Sequence, residues 1–242
     1  MPVIKGVLFD KDGTLLELTI EEPARQLVEE AIAQAGLNET EATSFREKMG
    51  FVGGRLQLNS LIVAGSIGEQ AACLAPLLGR SFEQTVQYVD DHYRRAALEE
   101  NIMDRLMDGA TEVVRELAGQ GYVLGVVTND HHEATKQILE ETGLAPYFSF
   151  IGAADRFPAK PHTASLNAFC ESFALSAQEV VYVGDSAVDI EYAQATRAAI
   201  GFDLGMGGQE YLEKADYVIT HLRQVPSIIS ELNAQETAKQ HL

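Results

Sequence analysis

Apolar residues follow two rhythms along this chain, and the change between them divides it. Ile4 with Val7-Leu8-Phe9 is a short apolar run that predicts a buried strand. Leu15 to Ile20 is short and apolar-rich and predicts a small flap. Glu21-Glu22-Pro23 reads as a helix start, with acids and proline in the first turn. From there to about Glu100 apolar positions recur at helical spacing. Leu27, Ile32 and Ala35 make one stripe, Leu74, Leu77 and Leu78 another, and Val86, Val89 and Tyr93 stand at i, i+3, i+7. No alternating strand pattern stands out in this stretch. Met49 to Arg55, with Gly50, Gly53 and Gly54, predicts a turn between helices.

Past Asp108-Gly109 strands and helices alternate. Helices are predicted at Ala110 to Ala118, His132 to Glu141, Thr163 to Phe173, Val188 to Thr196 and around Val225 to Leu232. Strands are predicted at Tyr122 to Val127, Phe148 to Ile151, Glu179 to Val183, Ala198 to Phe202 and Tyr217 to Ile219. Such alternation means βαβ units and a mostly parallel sheet. The expected fold is therefore α/β, Rossmann-like with helices on both faces. Its core covers residues 1–16 and 101–242, interrupted by an all-helical insertion at 17–100.

Composition changes this picture only by exclusion. The chain is 46% hydrophobic and 22% charged, enough apolar material for a sizeable core. A net charge of -18 argues against binding a nucleic-acid backbone, which needs clustered Lys and Arg. Cys73 and Cys170 lie far apart without ligand spacing, so inert thiols are expected rather than a zinc site or a disulfide. No charged-then-apolar leader or long apolar run is visible, which points to a cytoplasmic protein with no membrane partner.

The chemistry is concentrated where strands should end, the edge of a parallel sheet at which ligands bind. Asp10 and Asp12 follow the first strand at i, i+2, and like charges held that close call for a cation. Gly13 permits a sharp turn and Thr14 adds a hydroxyl. Thr128-Asn129-Asp130 follows the second strand, Lys160-Pro161 precedes a helix, and Gly184-Asp185-Ser186 with Asp189 follows a later strand. Any one of these could be a helix cap or a turn. Acids, a hydroxyl, a lysine and more acids on one sheet edge are harder to dismiss.

In this order the motifs resemble those of the haloacid dehalogenase-like (HAD) hydrolase superfamily: Asp-x-Asp-Gly-Thr at 10–14, Thr128, Lys160, and Gly-Asp-x-x-x-Asp at 184–189. The helical insertion after the first motif is similar to the α-helical cap of the phosphoglycolate phosphatase-like branch. Lys11 departs from the pattern, standing where many members carry a hydrophobic residue. On a strand it would face away from its neighbours. The resemblance implies a phosphatase in which Asp10 is the nucleophile and Asp12 the general acid and base. It implies Mg²⁺ held by Asp10, the backbone carbonyl of Asp12, and Asp185, a set of hard oxygen ligands. Thr128 and Lys160 would bind the phosphoryl oxygens, and Asp189 would either reach the metal or pair with Lys160. Asn129 is expected to position the phosphate through its backbone N–H, cap the next helix, or both, and Ser186 to cap the helix after it. His131 and His132 are read as a solvated turn and His162 as a surface or capping residue. The insertion is expected to act as a lid, with Arg55 either reading a carboxylate on the leaving group or simply solvated.

The implied function is hydrolysis of a small phosphorylated metabolite, 2-phosphoglycolate first among the guesses. Asp12 disfavours a dehalogenase. A phosphonate hydrolase would need a lysine in the insertion, where Lys48 is the only one. A sugar phosphomutase and a catalytically silent binding module stay as alternatives, and the chain could be a monomer or a homodimer.

Overall fold

The computed structural model describes residues 3–57, 60–99, 102–206 and 210–240. The chain divides into two compact units, one of Met1–Glu17, Ile102–Gly205 and Gln209–Leu242, the other of Leu18–Asn101 with Met206–Gly208. In chain order, β1 (Gly6–Phe9) leads into α1 (Glu21–Ala35), α2 (Glu39–Met49), β2 (Phe51–Val52), β3 (Arg55–Leu56), α3 (Leu61–Ala64), α4 (Ile67–Leu78) and α5 (Phe82–Glu99). The chain then continues through α6 (Ala110–Gly119), β4 (Val123–Thr128), α7 (His132–Glu141), β5 (Phe150–Ala153), α8 (Ala164–Phe173) and β6 (Val180–Gly184). It ends with α9 (Ala187–Ala193), β7 (Ala198–Phe202), β8 (Tyr217–Ile219) and α10 (Val225–Gln240).

Six strands form one sheet in the order β5-β4-β1-β6-β7-β8, and every pairing is parallel. Alternation along each strand feeds two cores. Val7, Phe9, Val181 and Val183 pack toward α6 and α10, against Val114, Leu117, Val225 and Ile229. Leu8, Val180 and Tyr182 face the other way, against Leu166 and Phe169 of α8 and Tyr192 of α9. This is the expected α/β arrangement with helices on both faces. From β1 the chain adds β4 and β5 on one side, then crosses to β6 on the other. The reversal falls at β1, where such sheets open a crevice at their carboxyl ends.

The first two residues of the segment expected to be a flap, Leu15 and Leu16, are instead buried in this unit, while Leu18 to Ile20 belong to the other unit. Leu15 and Leu16 are each 1% exposed, Leu16 bridges to Leu106, and the Leu15 carbonyl accepts from the Met107 amide. Two adjacent leucines gain too much by burial to stay on a solvated loop.

The other unit has its own core, with Leu27 and Val28 of α1, Phe45 and Met49 of α2, Leu74 of α4 and Val89 of α5. Asn38 with Glu41 and Ser66 with Glu69 form capping boxes that start α2 and α4. The glycine-rich turn is a β-hairpin: Phe51–Val52 pairs antiparallel with Arg55–Leu56 around Gly53 and Gly54, both at positive φ. Strands of two residues are too short to leave an alternating pattern, so only the glycines signalled the turn. Cys73 and Cys170 are free and half-buried, and burial raises the Cys170 thiol pKa. No helix among the described residues is long and apolar enough to cross a membrane.

Candidate active site

β1 and β6 are neighbours, and the residues after them meet. The Asp10 amide donates to the Val183 carbonyl at 2.9 Å, so the chain leaves β1 still tied to β6. Asp185 follows β6 directly. Its carboxylate accepts from the buried Thr14 hydroxyl at 3.1 Å, and its carbonyl accepts from the Tyr211 hydroxyl. Two glycines make the approach possible. Gly13, at φ +84°, lies so near the Asp185 carboxylate that a Cβ there would come within 2.2 Å of it. A Cβ on Gly184 would come within 2.4 Å of the Asp189 side chain. Asp189 sits one turn into α9, where Ser186 and Asp189 form a capping box; Ser186 is thus the helix cap the sequence suggested.

The centre of the site is the Lys160 ammonium. It lies 2.5 Å from Asp10 Oδ1, 2.6 Å from Asp189 Oδ1 and 3.1 Å from the Tyr182 hydroxyl. Tyr182 in turn donates to Asp189 Oδ1 at 2.7 Å. Burial by itself would disfavour the ammonium, but Asp10 and Asp189 outweigh it and hold the Lys160 pKa above its ordinary value. One ammonium cannot neutralise both acids. Burial, and then the Asp189 charge, push the Asp10 carboxyl up to about 7 against the pull of Lys160. Asp185 is also pushed well up, by burial and then by Asp10 and Asp189. Burial raises the Tyr182 phenol too, which keeps it a hydrogen-bond donor.

Asp10, Asp185 and Asp189 each offer an oxygen within 4.8 Å of the others, and all three are buried. An oxygen-only donor set with unneutralised negative charge fits a hard divalent cation. The Asp189 oxygens already have partners: Oδ1 takes Lys160 and Tyr182, while Oδ2 takes the Ser186 amide and hydroxyl at 3.0 and 2.5 Å. That leaves Asp10 and Asp185 as the acids with more coordination capacity to offer.

The Asp12 carboxylate is not in this group. Strand β1 ends at Phe9, so Asp10, Lys11 and Asp12 lie beyond it and strand alternation does not set their directions, though the Asp12 charge still adds to the upward push on Asp10. The Asp12 side chain is 38% exposed and lies between Lys11 Nζ, 2.5 Å from Oδ2, and Arg105 Nη2, 3.5 Å from Oδ1. Lys11, only 3% exposed, also reaches Asp130 Oδ2 at 3.2 Å.

On the other side of β1, Thr128 ends β4 with its hydroxyl accepting from the Asp130 amide at 3.1 Å. Asn129 does not cap α7, whose N-cap position is His131. Its side chain grips the backbone of Lys160 instead, accepting from the amide at 2.7 Å and donating to the carbonyl at 3.3 Å. His131 is exposed and His162 Nδ1 accepts from the Ala164 amide, the peripheral positions expected for them, whereas His132 opens α7 with its side chain only 14% exposed and paired with Glu133, not in a solvated turn. Arg55 is exposed on β3, and among the described residues no ion pair holds it. Its neighbour at the hairpin is Arg25, which donates to the Gly54 carbonyl at 2.9 Å and stacks over Phe51.

Sequence reasoning missed Tyr182, Arg105 and Tyr211. Tyr182 had a signal: a buried strand tyrosine needs a partner for its hydroxyl, and this one stands three residues before Asp185. Arg105 and Tyr211 had none, since only folding brings them to the site.

Comparison with known proteins identifies the family. The family model described as haloacid dehalogenase-like hydrolase matches residues 4–196. A phosphoglycolate phosphatase of Cereibacter sphaeroides is 30% identical over 234 residues, covering 95% of this chain and 99% of the relative. A phosphoglycolate phosphatase of Yersinia pseudotuberculosis is 30% identical over 239 residues, covering 96% and 97%. Among solved structures, the HAD-hydrolase YfnB of Bacillus subtilis, described as bound to magnesium, has a TM-score of 0.64 at 21% identity, covering 95% of this chain and all of that one. With the motifs assembled on one sheet edge and the family model spanning most of its length, the chain belongs to the haloacid dehalogenase-like hydrolases, in their phosphoglycolate phosphatase-like branch.

Proposed function

We propose that this phosphoric monoester hydrolase acts on a small phosphorylated metabolite, 2-phosphoglycolate first among candidates, through an aspartyl-phosphate on Asp10 with Mg²⁺ at the carboxylate cluster. The observation that carries the reading is the buried Asp10 carboxylate, with one oxygen on Lys160 at 2.5 Å and two further acids beside it. Among the described residues no hydrogen bond engages its other oxygen, which is the one to attack phosphorus. As that bond forms, the bond from phosphorus to the leaving oxygen breaks, and Asp12 gives the leaving oxygen its proton. Water then attacks the aspartyl-phosphate and passes a proton back to Asp12. Inorganic phosphate departs and the Asp10 carboxylate returns.

Asp10, Asp185 and the Asp12 carbonyl would hold Mg²⁺, with Asp189 holding Lys160 rather than the metal. The bound cation supplies positive charge that offsets repulsion between carboxylate and phosphate. Support comes from the oxygen donor set and from the magnesium described in the Bacillus subtilis relative. Thr128 and Lys160 would meet the phosphoryl oxygens, where charge is concentrated in the transition state. The substrate is suggested by the names of the Cereibacter and Yersinia relatives, and the exposed Arg55 is our candidate for pairing with its carboxylate. Lys48 is exposed in the last turn of α2, an ordinary surface position, and nothing there favours a phosphonate hydrolase.

The test is phosphate release from a panel of phosphorylated metabolites, with and without Mg²⁺, by the wild type and Asp10→Asn. Metal-dependent release, fastest from 2-phosphoglycolate and lowered at least ~1,000-fold in the variant, is expected. No metal-dependent release from any compound sinks the phosphatase reading, and unchanged release by Asp10→Asn sinks the nucleophile.

A further inference from the structure

Lys11 is a buried cation to which the reaction above gives no task. A buried ammonium is costly unless paired, and this one is paired twice. It lies 2.5 Å from Asp12 Oδ2 and 3.2 Å from Asp130 Oδ2. Asp130 is fixed by its own turn: its amide donates to Thr128 Oγ1 at 3.1 Å, and its Oδ1 accepts from the His131 amide at 2.8 Å. Lys11 thus braces the loop after β1 against the turn after β4. Asp12 needs such a brace. It lies beyond the end of β1, its side chain is 38% exposed, and among the described residues the only other cation paired with it is Arg105 at 3.5 Å. An unbraced side chain there would sample several rotamers, whereas proton transfer needs an oxygen within about 2.6–3.2 Å of its target.

We propose that Lys11, braced by Asp130, is a positioning residue that aims the Asp12 carboxyl group at the leaving oxygen of the bound phosphate ester. The inference rests on Asp12 being the proton donor of the proposed reaction. It requires that Lys11 act through Asp12 and not on the phosphate. Its effect is therefore tied to how much the leaving group needs a proton.

The experiment compares kcat/KM, which reports transfer to Asp10, for an alkyl phosphate and for 4-nitrophenyl phosphate, whose leaving group departs without a proton. The variants are Lys11→Met, Lys11→Arg, Asp130→Asn, Asp12→Asn and the double variant Lys11→Met/Asp12→Asn. Lys11→Met is expected to lose on the order of 10–100-fold on the alkyl phosphate and no more than about threefold on 4-nitrophenyl phosphate. Competitive inhibition by inorganic phosphate stays within about threefold, Lys11→Arg recovers part of the loss, and Lys11→Met costs nothing further on the Asp12→Asn background. Asp130→Asn, a change at a half-exposed side chain, shows the same leaving-group signature more weakly. It decides the matter should Lys11→Met fail to fold. Equal losses on both substrates, a tenfold weaker inhibition by phosphate, or a further loss on the Asp12→Asn background would overturn the proposal. Asp12→Asn that hydrolyses the alkyl phosphate as fast as the wild type would instead remove the proton-donor assignment, a result recognisable without reference to Lys11.

Discussion

Four aspartates with the same side chain have four different surroundings, and those surroundings decide what each can do. Asp10 is buried against Lys160, Asp185 is buried against Thr14, and Asp189 has both oxygens engaged by Lys160, Tyr182 and Ser186. Asp12 alone is half-exposed. The Lys160 ammonium serves two buried acids, so removing it leaves charge behind rather than an empty space. Lys160→Met is expected to cost about 3–5 kcal/mol at pH 8, the usual result of breaking a buried pair from one side. The cost is smaller at pH 6. Asp10 already sits at about 7 with Lys160 present, and without that cation it takes up a proton more readily. Urea unfolding at the two pH values measures the difference, and a loss equal at both would show that Asp10 does not carry the charge in question.

At the scale of elements, the site is made by strand ends and by the turns that leave them. β1 supplies Asp10, β4 supplies Thr128 and the Asn129 clamp on Lys160, and β6 supplies Asp185 and the start of α9. Glycines matter here where an acid presses on them. Gly13 combines φ +84° with an Asp185 carboxylate that a Cβ would strike, whereas Gly53 at the hairpin tip has φ +58° and nothing within 4 Å. Gly53→Ala should therefore cost only the left-handed backbone penalty, about 1–2 kcal/mol. Gly13→Ala should cost more and also displace Asp185, weakening Mg²⁺ binding at least ~10-fold in titration calorimetry. Equal stability losses in the two variants, with metal affinity untouched, would show that Gly13 is only a turn residue.

At the scale of the molecule, the acid cluster links stability to pH and to metal. Asp10 moves from 3.8 to about 7 on folding, so between those values the folded state binds more protons than the unfolded one. Stability from this group is then greatest at low pH and falls as pH rises from about 4 to 7, the opposite of a salt-bridged acid held below its ordinary value. Metal-free wild type should lose on the order of a few kcal/mol relative to Asp10→Asn over that window, and Mg²⁺ should return it at pH 7.5. Thermal melts of both proteins with and without Mg²⁺ check this, the variant correcting for all other titrating groups. Parallel pH profiles for the two proteins would refute the link.

The class of fold, most of the element boundaries in the sheet unit, and the four motifs were legible in the chain before folding. They could be read there because they depend on local periodicity and on the residue types just past each strand. Helix His132–Glu141 and strands Ala198–Phe202 and Tyr217–Ile219 were legible to the residue. Elements without a long enough period were not: the two-residue strands of the hairpin, and Leu15-Leu16, whose apolar character does not say which core receives them. The partners of the charged groups came from folding. It paired the Asp12 carboxylate with Lys11 and Arg105, outside the cluster of Asp10, Asp185 and Asp189. It also put Tyr182 and Asp189 on Lys160 and turned Lys11 inward onto Asp12 and Asp130. The physical reason is that a buried charge must find its counter-charge wherever folding brings one. For Lys160 those counter-charges lie 150 and 29 residues away along the chain.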